Sequence, residues 1–276
     1  MFFQYLGTAA SEAWPALFCN CPQCKKALAL GGRDIRTRSQ AILDDHILFD
    51  FPCDTYQHKL SGSLDLSAVD LLLITHSHSD HLYPNDIALR TPPYSHDFTV
   101  PVIHIASGVS ALNRLSHHLE YDREALRNAE LHTLRAYETV DLCGARILPI
   151  PAYHLPGEDA FCYSVETKGV RVLYLHDTGE RIGAALEPLR GEAPYDLISF
   201  DCCWCTKEAS IEDGHMGLPN VVRLRGVLYS LGLCTTKTVC CVNHFSHNIA
   251  AMHSDIEAAA SPYGILTAYD GRKLAL

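Results

Sequence analysis

The sequence predicts an α/β fold in which helices cover sheets, and three observations carry that expectation. Short apolar, β-branched runs crowd the first 176 residues; helix and strand patterns alternate after Asp177; and no Gly/Ser-rich or Pro-rich tract divides the 276-residue chain. A single domain over 1–276 is the expected organisation. With 47% apolar and 20% charged residues, the chain can bury a substantial core.

The runs "FFQYL" (2–6), "SQAILDD" (39–45), "HILFDF" (46–51), "VDLLLIT" (69–75) and "VPVIHI" (100–105) read as strands. The unbroken "LLLI" marks one buried on both faces. Residues 110–128, richer in Leu, Arg and Glu, read as helix. Strands return at "ARILPIPAY", "AFCYSVET" and "VRVLYLH". Ile182, Ala185, Leu186 and Leu189 then fall on one helical face, with Pro188 disturbing the last turn and Gly191 as a stop. "YDLISF" is a strand. In "LPNVVRLRGVLYSLG", Pro219 suits a helix start, and Leu224, Val227, Leu228 and Leu231 share a face. "TVCCVNH" is a strand, and "NIAAMHSDIEAAASP" a helix closed before Pro262.

Composition limits the functions. A formal charge of −10 disfavours a polyanionic partner such as nucleic acid. No apolar stretch is long enough to span a bilayer, and the N-terminal residues lack an export-signal pattern, so a cytoplasmic protein with no membrane partner is expected. Twelve cysteines and sixteen histidines in such a chain point to thiols and metal rather than a disulfide scaffold.

The segment "HSHSDH" places His76, His78, Asp80 and His81 on a loop at the end of a strand, where α/β folds build sites. In extended backbone His76 and His78 project to one side, while Asp80 and His81 can face a second centre. Imidazoles mixed with a carboxylate suit zinc, manganese or iron rather than calcium. His154, Asp177 and His244 each follow a later strand. Taken singly, such residues are more often caps or satisfied polar groups than ligands.

In this order the motifs resemble the metallo-β-lactamase-fold hydrolases, over nearly the whole chain. The resemblance implies a four-layer αβ/βα sandwich with a two-metal site along one edge of the paired sheets. It assigns His76, His78 and His154 to one metal, Asp80, His81 and His244 to the other, and Asp177 as the bridge, with Asp50 a structural aspartate. A bridging carboxylate rather than a cysteine resembles the phosphodiesterase and ribonuclease branches more than the lactam-cleaving one.

"FCNCPQC" supplies Cys19, Cys21 and Cys24, a compact knuckle at 19–24 that needs a fourth ligand for structural zinc. His247 is the candidate, with free thiols or a redox pair as the other reading. The knuckle is similar to that of the PhnP-type cyclic-phosphate phosphodiesterases. The pyrroloquinoline-quinone biosynthesis B proteins carry such a knuckle too, but generally without the complete two-metal ligand set.

The expected activity is therefore a two-metal phosphodiesterase opening a small cyclic phosphate or phosphodiester. The attack is by a metal-bridging hydroxide, with Asp80 at the catalytic centre and His215 as general acid. Asp213 is expected to orient His215 or to cap its turn. The cofactors would be two divalent ions, manganese or zinc with iron a third option, and one structural zinc. A tRNA 3′-end endonuclease and a noncatalytic zinc protein are the alternatives, and a homodimer stays open. Cys202, Cys203 and Cys205 read equally well as buried small side chains or as metal binders. Cys240 and Cys241 read as core; His96, His117, His118, His132 and His253 as surface.

Overall fold

In the computed structural model, which describes residues 1–121, 124 and 127–276, the two continuous apolar faces of the "LLLI" strand are both covered. Leu71 and Leu73 point into the core between two sheets, and Leu72 and Ile74 into a second core beneath helices. That is why this strand is apolar without alternation. Truncating Leu72 to Ala would cost about 2–5 kcal/mol by the usual cavity penalty.

Fourteen strands occur among the described residues. They are β1 (Phe2–Gly7), β2 (Gln40–Leu43), β3 (Ile47–Phe49), β4 (Leu71–Leu73), β5 (Ile103–Ser107), β6 (Ala129–Thr133) and β7 (Val140–Leu142). β8 (Ala145–Pro151), β9 (Phe161–Thr167), β10 (Val170–Leu175), β11 (Leu197–Asp201), β12 (Val239–Asn243), β13 (Leu266–Thr267) and β14 (Lys273–Ala275) follow. They form two sheets of seven, ordered β14-β1-β2-β3-β4-β5-β6 and β13-β12-β11-β10-β9-β8-β7.

The two sheets repeat one plan. Pairings are antiparallel from β14 to β3 and from β7 to β10, then parallel from β3 to β6 and from β10 to β13. Strands β3, β4, β8, β10, β11 and β12 consequently end along one edge of the sandwich. Helix Val109–His118 packs Ala111, Leu112 and Leu115 on the outer face of the first sheet, and helix Leu218–Leu231 packs Leu224, Leu228 and Leu231 beside the second. The architecture is the four-layer αβ/βα sandwich of the metallo-β-lactamase fold.

Several boundaries differ from the sequence reading. The helix expected over 110–128 spans Val109–His118 and tightens into a 3₁₀ turn at Leu119–Tyr121; residues 122, 123, 125 and 126 lie outside the described residues. Pro188 does more than kink: the helix stops at Ala185, and Glu187–Leu189 is a 3₁₀ turn. The last helix begins at His253 rather than near Asn248, because Asp255 accepts from the Met252 N–H and closes its start (2.9 Å). Val227 is partly exposed, not core. No helix among the described residues is long and apolar enough to cross a membrane.

Candidate metal centre

Three strand ends place residues of the site by turning the chain into the left-handed region without glycine. Asp50 after β3, Asp177 after β10 and His244 after β12 have φ of 64°, 49° and 63°. Each such residue costs on the order of 1–3 kcal/mol, and this kind of backbone strain clusters at functional sites.

His76, His78, His154 and Asp177 bring ligand atoms within 4.8 Å of one another, and so do Asp80, His81, Asp177 and His244. In the first group His76 Nε2 lies 2.9 Å from His78 Nδ1, and His154 Nε2 lies 3.2 Å from the same atom. Asp177 Oδ2 is 3.5 Å from His76 Nε2 and 3.6 Å from His154 Nε2. In the second, His81 Nε2 is 3.2 Å from Asp80 Oδ2 and 3.1 Å from Asp177 Oδ2, and His244 Nε2 is 3.0 Å from Asp177 Oδ1. A tetrahedral ion with bonds of about 2.0–2.1 Å has ligand edges of roughly 3.3–3.4 Å, so both groups are sized for one. His81 Nε2 and Asp177 Oδ1 are buried without a hydrogen-bond partner, a cost of about 1–3 kcal/mol each that a cation between them would relieve. The donor set fits two divalent ions sharing Asp177.

The second nitrogen of three rings is already engaged, which turns the other towards the centre; burial opposes charge on His81, but Asp177, Asp50 and Asp80 raise it well above the ordinary imidazole range, so a bound cation there would displace its proton. His81 Nδ1 donates to Asp50 Oδ2 (2.7 Å), His154 Nδ1 to the Gly214 carbonyl (3.2 Å) and His76 Nδ1 to Thr75 Oγ1 (3.0 Å). Asp50 also accepts from the Thr75 N–H and hydroxyl at 2.8 and 2.9 Å, so one buried carboxylate fixes both the start of the histidine loop and the His81 ring.

Burial holds His76 and His154 below the ordinary imidazole range, keeping them as neutral donors. Burial opposes ionisation of Asp80 and Asp177 too. There the facing imidazoles win: His81 holds Asp80 below the usual carboxylate range, and His244 with His81 does the same for Asp177.

His215 borders this centre. Its ring lies 4.7 Å from that of His154 and 5.4 Å from that of His244. Burial works against its charge, but the Asp201 carboxylate, 2.8 Å from Nδ1, raises its pKa to about 9. Asp213 caps the turn by accepting from the His215 N–H (3.0 Å) and does not orient the ring. Sequence reading missed Asp201, although it carries the signal that exposed His154, Asp177 and His244: a polar residue ending an apolar strand. Glycine is required beneath this loop, since a Cβ on Gly179 would sit 1.9 Å from the Asp213 carbonyl oxygen.

Cys19, Cys21, Cys24 and His247 also converge within 4.8 Å. His247 Nδ1 is 3.7 Å from Cys21 Sγ and 3.5 Å from Cys24 Sγ, near the edges of roughly 3.5–3.8 Å expected around zinc. Cys21 caps helix Pro22–Leu30, accepting from the Cys24 N–H; that bond and His247 lower its pKa to about 6. Burial pushes Cys24 up to about 11 although its sulfur accepts from the Ala16 N–H. The remaining expectations divide. Cys202, Cys205, Cys240 and Cys241 are buried, and none joins a ligand cluster among the described residues. His96, His117 and His118 are exposed. His253 is not a surface residue: it is buried with Nδ1 3.0 Å from Arg36 Nη2.

The whole chain superposes on solved structures of this architecture. A diphosphatase of the PhnP family matches with a TM-score of 0.73 at 23% identity, over 100% of this chain and 97% of that one. Zinc-bound PqqB from Methylobacterium extorquens matches at 0.72 and 17%, over 100% of both, and the short form of human tRNase Z at 0.64 and 16%, over 100% and 99%. At these identities the likeness establishes the fold. No curated protein matches the chain significantly. Residues 46–229, from the strand carrying Asp50 to the helix behind the His215 loop, match the family profile described as the beta-lactamase superfamily domain, and the chain belongs to that family.

Proposed function

We propose that this protein is a two-metal hydrolase that cleaves a small phosphodiester or cyclic phosphate. The carrying observation is the buried Asp177 carboxylate, which faces His76, His154 and His81 with Oδ2 and His244 with Oδ1, and so touches donors of both ligand groups. Two divalent ions, manganese or zinc, would offset phosphate charge and lower the pKa of a water there.

The protein residues do the rest. His76, His78 and His154 would hold one ion, Asp80, His81 and His244 the other, and Asp177 both. Asp50 keeps His81 turned with Nε2 inward. Asp201 fixes His215 through Nδ1, so the free Nε2–H is the proton source for the leaving oxygen. Cys19, Cys21, Cys24 and His247 hold a structural zinc that ties the N-terminal loop to the loop after β12. The proposed setting is the cytoplasm, where thiols stay reduced; none of its cysteines is in a disulfide.

A small substrate is favoured over RNA. The net charge of −10 repels a polyanion, and residues 178–214 hold a one-turn helix at Ile182–Ala185, a 3₁₀ turn at Glu187–Leu189 and β11, with no pair of long strands or helices to form an RNA-gripping arm. The likeness to a diphosphatase extends the test to phosphoanhydrides. Elemental analysis with turnover of bis(p-nitrophenyl) phosphate, a ribosyl cyclic phosphate, a diphosphate and a precursor tRNA would decide among these. Bound metal with turnover of the small diesters is expected. Cleavage of the tRNA alone would move the assignment to the endonuclease reading, and metal without any turnover to a noncatalytic zinc protein.

A further inference from the structure

A second set of metal-ligand side chains lies on β5 and β6, apart from the Asp177 centre. His104 is the second residue of β5, and Glu130 and His132 are the second and fourth of β6. The register pairs His104 with Glu130 and Ala106 with His132. Ile103, Ile105, Ala129 and Leu131 fill the helix-side core, so strand alternation turns His104, Glu130 and His132 together onto the other face.

His104 Nδ1 and His132 Nε2 are 2.9 Å apart, and Glu130 Oε2 is 3.5 Å from the first and 4.0 Å from the second. These separations bracket the roughly 3.3–3.4 Å edge of a tetrahedral nitrogen and oxygen site. The imidazoles are about a quarter exposed and the carboxylate is 60% exposed, which leaves a path for an ion and for water.

The second sheet closes over the same place: the His104 N–H (2.8 Å) and the Cys143 thiol (3.6 Å) both donate to the Asp70 carbonyl.

We propose that His104, Glu130 and His132 bind one divalent transition-metal ion of the zinc or copper class, with water as the fourth ligand. The ion cross-links β6, which ends its sheet among the described residues, to β5. This site is separate from the Asp177 centre and stands whether or not that centre hydrolyses phosphates.

The test uses the full chain and its variants His104→Asn, Glu130→Gln and His132→Asn. Each is equilibrated with zinc and counted by elemental analysis; copper is then added for electron paramagnetic resonance. The wild type is expected to retain one ion per chain more than either histidine variant. Glu130→Gln, the change least able to disturb folding, should weaken binding by roughly tenfold or more. Copper nitrogen splitting from two imidazoles should collapse in His132→Asn, with hydrolysis of bis(p-nitrophenyl) phosphate unchanged throughout. Equal metal counts and unchanged copper spectra across the series would overturn the site and leave a hydrogen-bonded imidazole pair.

Discussion

The Asp177 centre and the cysteine knuckle are built on opposite principles. In the centre, His76, His81, Asp177 and His244 are almost wholly inaccessible, and the donors come from strand ends 168 residues apart, His76 to His244. In the knuckle, three donors sit within six residues, and Cys19, Cys21 and His247 are only half-buried. Charge buried with little water must be balanced inside the protein, so every group in the centre depends on its neighbours. A half-buried cluster whose thiols are local depends mainly on its ion. The two sites nevertheless share a loop, because His244 and His247 are three residues apart.

The sharpest way to break this contrast is Asp177→Ala. Losing the shared carboxylate leaves facing imidazoles without their counter-charge, so both ions of the centre should be lost and turnover abolished, while the knuckle keeps its zinc. Elemental analysis showing full occupancy would mean that Asp177 is not shared.

The next effect is that of His215→Ala, which should cut turnover of diesters with poor leaving groups by about 10²–10⁴-fold, the usual contribution of a general acid. Metal content should not change, and p-nitrophenyl esters, whose leaving group needs no proton, should suffer least. The pH profile gives the sign. His215 acts protonated and its pKa is raised to about 9 without metal, so turnover of the metal-loaded protein falls as pH rises, on a limb that the bound cations move below that value. Asp201→Asn removes the main cause of the rise and should move this alkaline limb to lower pH. An unmoved limb would detach His215 from the proton transfer.

Asp50→Asn comes third. Asp50 touches no ion in the proposed arrangement but fixes His81, so metal affinity of the centre should drop by about 10–100-fold, read by chelator competition. An affinity equal to that of the wild type would make Asp50 a backbone support only.

These sites were not equally legible in the sequence. "HSHSDH" and "FCNCPQC" are local, and no ordinary turn needs their composition. His154, Asp177 and His244 became readable only in combination, because each alone is an ordinary strand-end residue. Asp201 and His104 stayed hidden for a physical reason: their partners, His215 and the pair Glu130 and His132, are brought to them by loop and sheet geometry that no spacing announces. The long strands were visible from their apolar runs. The short ones at or near sheet edges, β6, β7, β13 and β14, were not, since a half-exposed edge strand carries little apolar signal.

Cys24→Ser should have the smallest effect on turnover and the clearest effect on stability. Of the three cysteines Cys24 is the buried one, and its sulfur faces His247 at 3.5 Å, so the serine variant should lose one zinc per chain and no other metal. An ion that binds only the folded chain stabilises it by about 2.7 kcal/mol when present at 100 times its dissociation constant, so its loss should lower Tm by that free-energy equivalent. Turnover should persist, because Ser246 still anchors the shared loop by donating to Glu12 at 2.5 Å, and Phe245 still donates its N–H to Thr8 at 2.9 Å. If the variant instead loses the ions of the Asp177 centre as well, the shared loop transmits order from the knuckle to His244. The two sites would then be one cooperative unit rather than a buried centre with an independent clasp.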